Sequence, residues 1–101
     1  MKLVWTEPAV IDLESIRDYI SKDSEYYASL FIERIIIAVE KIALFPQLGR
    51  EVPEYKTNNI REALFYNYRL IYEIKDNEIF ILTIVHGARD LSNSHPWDFS
   101  G

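Results

Sequence analysis

No cysteine occurs in the 101 residues, which excludes disulfide staples and thiolate chemistry and is consistent with a reducing compartment. Histidine is nearly as scarce: His86 and His95 are too few to make a metal site. With three glycines, the chain holds no phosphate-cradling loop, no HExxH helix and no nucleophile elbow. No stretch approaches the roughly 20 apolar residues of a membrane span, and the start MKLVWTEPAV meets Glu7 and Pro8 too soon to resemble a signal peptide. The expectation is a cytoplasmic protein with no cofactor, no metal and no membrane contact. Positive charge is also short, with 11 Lys and Arg against 16 Asp and Glu and a net charge of -5. That is the wrong sign for broad, charge-driven binding to nucleic acid, so any such contact must come from a local cluster.

What is present is a hydrophobic content of 49%, enough for one small core, so residues 1-101 are read as a single domain with a short C-terminal tail, 92-101. The stretch Ile60 to Leu91 alternates with period two and is rich in β-branched and aromatic residues, which predicts three consecutive strands. Asp76-Asn77 tolerates positive φ and predicts a tight turn, placing Arg69 opposite Ile84 and Ile71 opposite Leu82. Tyr68, Leu70, Tyr72 and Ile74 then share a helix-covered face with Ile79, Ile81, Thr83 and Val85, while Arg69, Glu73 and His86 share the other. A slip of one residue exchanges the faces. The face of Arg61 depends on the length of the loop at Tyr66-Asn67.

Upstream, Lys2 to Trp5 reads as an edge strand. Thr6 is a candidate N-cap, and Ala9, Leu13, Ile16 and Ile20 recur at helical spacing to about Lys22. Asp23 and Ser24 offer new caps for a longer helix carrying Phe31, Ile35, Ala38, Ile42 and Phe45 to the stop at Pro46. Leu30, Ile32, Ile36, Ile37 and Val39 broaden its apolar girth beyond one contact. Either the helix is sandwiched between its neighbour and the sheet, or it offers a partner surface. Pro46 to Asn59 reads as a loop. The expected class is α+β: an N-terminal edge strand and a two-helix antiparallel hairpin packed on a small antiparallel sheet of about four strands.

The candidate chemistry is a polar group at the sheet: Arg50 and Glu54 in the loop, Arg61 and Arg69 on strands, and His86 and Arg89 at the end of the last strand. Arginines there suit bidentate contacts to phosphate, and a carboxylate or imidazole nearby suits proton transfer. Equally, Arg69 and Glu73 suit an ordinary ion pair. Trp97 and Phe99 in the tail dock on the domain, dock on a partner or stay exposed.

The order of elements resembles the RelE/ParE superfamily of toxins from type II toxin-antitoxin systems. So do the phrases Phe45-Pro46-Gln47-Leu48-Gly49-Arg50, Asn59-Ile60-Arg61-Glu62, Tyr68-Arg69-Leu70-Ile71-Tyr72 and His86-Gly87-Ala88-Arg89-Asp90-Leu91. The resemblance implies a toxin neutralised by a cognate antitoxin, with operator DNA bound only through the antitoxin complex. Relatives similar to RelE cut mRNA on the ribosome, which would cast Arg69, His86, Arg89 and Glu54 as catalytic in a metal-independent endoribonuclease. Relatives similar to ParE inhibit DNA gyrase. Whatever the target, Arg50, Arg61, Arg69, Arg89, Trp97 and Phe99 are the binding candidates, with Trp97 and Phe99 suited to the antitoxin. Ile60 and Glu62 stand where the nucleases carry a basic pair, which favours the ParE-like branch over an mRNA interferase. An inactive remnant kept for antitoxin binding is the third alternative.

Overall fold

The computed structural model describes residues 1-55 and 59-87. Strand β1 (Lys2–Trp5) leads into helices α1 (Glu7–Ser21) and α2 (Glu25–Leu44). A 3-10 turn, Pro46–Leu48, then passes the chain to β2 (Arg50–Glu51), β3 (Ile60–Phe65), β4 (Tyr68–Lys75) and β5 (Glu78–His86). The strands form one sheet in the order β1-β5-β4-β3-β2. The α+β architecture and the N-terminal edge strand stand as expected, with two corrections. There are five strands, because Arg50–Glu51 inside the supposed loop pairs with Glu62 and Arg61, a bridge too short to leave an alternating pattern. The sheet is mixed, because β1 runs parallel to β5 after the helical crossover.

Local chemistry explains the boundaries. Ser24 caps α2, its side chain accepting from the Tyr27 N–H at 3.2 Å. Thr6 occupies the N-cap position of α1 without capping through its side chain; its hydroxyl donates instead to Ile81 O at 2.6 Å and ties the helix to β5. The Asp76-Asn77 turn forms as expected, with φ of 52° and 61° and Lys75 opposite Glu78. Tyr66 takes φ 53° in an equally tight turn joining Phe65 to Tyr68.

Away from the Asp76-Asn77 turn the expected register fails. Tyr72 faces Ile81 but Ile71 faces Thr83, so Leu82 is an extra residue and everything beyond it shifts by one. Arg69 therefore pairs with Val85 rather than Ile84, and His86 pairs with Tyr68. Ile84 joins the helix-side core of Ile16, Ile35, Val39, Ile42, Leu70, Tyr72, Ile79 and Ile81, while Val85 joins Val52, Ile71 and Leu82 in a smaller cluster on the opposite face. Two apolar layers thus sandwich β4, which is why four successive residues, Leu70 to Tyr72 with Arg69, are buried.

Candidate functional site

The face of the sheet turned away from the helices carries the polar cluster. Direct pairing puts Arg50 beside Glu62, and Leu64 beside Arg69, so alternation gathers Arg50, Glu62 and Arg69 on one surface. The turn Val52 to Tyr55 folds over them, closed by the Tyr55 N–H to Val52 O at 3.0 Å and pinned by the fully buried Val52. Its Glu54 accepts from both terminal nitrogens of Arg69, at 2.9 Å from Nη1 and 2.7 Å from Nη2. Arg69 Nε donates to Glu62 Oε2 at 2.5 Å, and Arg50 Nε donates to the other Glu62 oxygen at 3.2 Å. Two arginines and two glutamates thereby form one chain of charge.

Burial ranks the members. The Glu62 side chain is wholly buried and that of Arg69 is 7% exposed, whereas Arg50 keeps 63% of its side chain in solvent. An unpaired carboxylate at the depth of Glu62 would cost several kcal/mol, so Arg69 is first of all its counter-ion. The hydrogen bonds that Arg69 donates to Glu54 push its guanidinium further above its ordinary range, burial opposes them, and Glu62 adds to the rise. Burial, with the Glu54 charge beside it, also raises the Tyr55 hydroxyl, and Arg69 opposes this.

The cluster lines an open cleft of about 740 Å³, whose walls include Arg50, Glu54, Glu62, Tyr66, Arg69 and His86. Four expected site residues, Arg50, Glu54, Arg69 and His86, are thus brought to one place. The expectation that Arg69 and His86 share a sheet face is corrected by the bulge: His86 pairs with Tyr68, whose ring meets Phe31 of α2 at 6.0 Å. His86 is exposed at the strand end, edge-on to the Tyr68 ring. Arg61 faces the helix side opposite Tyr72, donates to Gly49 O at 2.8 Å and lines a separate hollow of about 240 Å³ with Gln47, Asn59 and Ile74. Arg89, Trp97 and Phe99 lie outside the described residues. Among the described residues, no three histidine, aspartate or glutamate side chains are placed to share a cation.

Two residues of the site escaped sequence reasoning. Glu62 registered only as a mismatch to a basic position; its signal was a carboxylate at an inward-facing place of a strand, which calls for a buried cation. Tyr72 anchors the approach to the cleft: its hydroxyl accepts from the Gly49 N–H at 2.9 Å and donates to Pro46 O at 2.7 Å. A Cβ on Gly49 would stand 2.5 Å from that hydroxyl and 2.6 Å from Glu62 O, so only glycine fits there.

On the helix side, a groove of about 380 Å³ runs between α2 and β3, floored by Ala38, Ile42, Ala63, Phe65 and Leu70 and bordered by Arg34 and Lys41. Ile37, Leu48 and Leu64 along it are all more than half exposed. Beyond Glu62, β3 has no outer strand partner among the described residues.

The family described as "ParE toxin of type II toxin-antitoxin system, parDE" matches residues 3–91. Toxin RelE2 of Caulobacter vibrioides is 34% identical over 89 residues, covering 87% of this chain and 97% of that protein. A solved structure from P. aeruginosa, titled "Chromosomal ParDE TA system", superposes with a TM-score of 0.74 at 24% identity, covering 85% of this chain and 95% of that one, which shows a shared fold.

Proposed function

Because this chain belongs to the ParE toxin family of type II toxin-antitoxin systems, we propose that it stops growth by binding DNA gyrase rather than by cutting mRNA. The observation that carries this reading is the occupied guanidinium of Arg69. A metal-free ribonuclease needs cationic donors aimed at the phosphate oxygens where charge develops. In this cleft Arg69 is engaged by Glu54 and Glu62, Glu62 also engages Arg50, and the four charges cancel. The region from Arg50 to Asp90 holds six Lys or Arg against seven Asp or Glu, so it lacks the positive excess that favours docking on ribosomal RNA. A protein target makes no such demand.

The cognate antitoxin that membership implies is assigned to the groove between α2 and β3. The exposed apolar strip needs a cover, and the Arg34 and Lys41 border suits an acidic, amphipathic segment that folds as it binds. Operator DNA then meets the toxin only through that complex, in the cytoplasm.

Induction of the toxin alone, with DNA and protein synthesis labelled separately, tests the target. The expected result is early arrest of DNA synthesis while translation continues. Immediate arrest of translation with cleaved transcripts would overturn the proposal and make Arg69, His86 and Glu54 the residues to substitute.

A further inference from the structure

We propose that the outward ridge of α2 is a self-association surface, on which a second copy of this chain packs with its own α2 alongside and parallel. Leu30, Ile37 and Leu44 recur at seven-residue intervals, close to two helical turns, so they fall on one line along the helix. Ile37 is 52% exposed and Leu44 75%, which leaves that line apolar and uncovered. Charges flank it at the same interval. At about 100° per residue, Glu33 and Glu40 stand on one side of the line, and Arg34 and Lys41 stand on the other.

The surrounding hollows show the same division. Arg34 and Lys41 border the groove toward β3, Glu33 and Glu40 line a hollow toward α1, and Ile37 lines both. Arg17 of α1 also lines the second hollow, but it pairs with Asp18 at 3.5 Å. Among the described residues none of the four α2 charges makes a salt bridge, so all four are open to a partner. Symmetry then selects the orientation. A two-fold axis parallel to the helices sets the acidic flank of each copy against the basic flank of the other, and both sides of the seam attract. A two-fold axis across the helices would set acid against acid and base against base. The ridge is therefore complementary to itself in the parallel arrangement and not in the antiparallel one. Because Arg34 and Lys41 also border the groove assigned to the antitoxin, a second copy and the antitoxin exclude one another there. That exclusion rests on the assignment of the groove, whereas the self-association depends neither on it nor on the target.

The test is sedimentation velocity on the purified full chain over a range of concentrations, with circular dichroism to establish that each variant is folded. The parent is expected to form a reversible dimer that weakens as salt rises, because ion pairs at a solvent-exposed seam are screened. Reversing one flank, by Glu33→Lys with Glu40→Lys or by Arg34→Glu with Lys41→Glu, should weaken the dimer roughly tenfold or more, since several modest attractions become repulsions together. An equimolar mixture of the two variants should recover a heterodimer. A parent that stays monomeric at every concentration would overturn the proposal and leave the ridge to the antitoxin. So would a dimer indifferent to both reversals, whose interface would lie elsewhere or run antiparallel. The parent's salt dependence needs no substitution, so a salt-insensitive dimer overturns the proposal even if a variant fails to fold.

Discussion

Arg69 pairs with two carboxylates, the wholly buried Glu62 of the sheet and Glu54 of the turn above it. Its replacement by alanine strands the wholly buried Glu62 and is expected to destabilise the protein by about 3–5 kcal/mol, whereas alanine at the solvent-exposed Arg50 should cost less than about 1 kcal/mol. Urea denaturation of the two variants checks the contrast, and equal losses would mean that the network is not organised around Arg69. Tyr72 yields a pH dependence. Burial raises its hydroxyl above the ordinary value of 10.0, against the opposing pull of the Gly49 N–H and the Arg61 charge. The folded state therefore holds this proton more tightly than the unfolded chain, so its stabilising contribution is complete below pH 10 and declines as pH rises through the higher folded value. Tyrosinate absorbance should show a late-titrating group that Tyr72→Phe removes. At neutral pH that variant should also lose about 1–3 kcal/mol, because the buried Gly49 N–H then lacks its acceptor.

Among the elements, the bulge in β5 decides which residues meet. Asp12 of α1 accepts from the Thr83 hydroxyl and, at 3.0 Å, from the Ile84 N–H, beside the displaced Leu82. Asp12→Ala is expected to cost about 1–3 kcal/mol and to speed amide exchange at Ile84 more than at Ile79, near the turn. Equal protection at both would show that the bulge holds itself. This contact also explains what the sequence made legible. The Asp76-Asn77 turn is encoded by two adjacent residues that tolerate positive φ, so the register beside it was readable. The shift beyond Tyr72 is met by an aspartate about seventy residues away in the chain, which no local pattern reports. The helices were readable from apolar spacing and the stop at Pro46. The two-residue β2 and the parallel pairing of β1 were not, because a bridge that short and a neighbour set by a crossover leave no periodicity. Likewise Arg50, Glu54 and Arg69 were legible as chemistry, but their closure on one another required the fold.

The whole molecule presents two faces with different demands. The helix side offers an apolar groove with a cationic border. The opposite face holds a cleft whose arginines and glutamates cancel. The net charge of -5 and the cancelling charges of Arg50, Glu54, Glu62 and Arg69 support the proposal of a protein target rather than an RNA substrate. The most direct measurement is a supercoiling assay with purified DNA gyrase and purified toxin, run beside a reaction containing programmed ribosomes. The account predicts that supercoiling is inhibited, that added antitoxin relieves the inhibition and that the mRNA stays intact. Full supercoiling activity together with mRNA cut on the ribosome would contradict it.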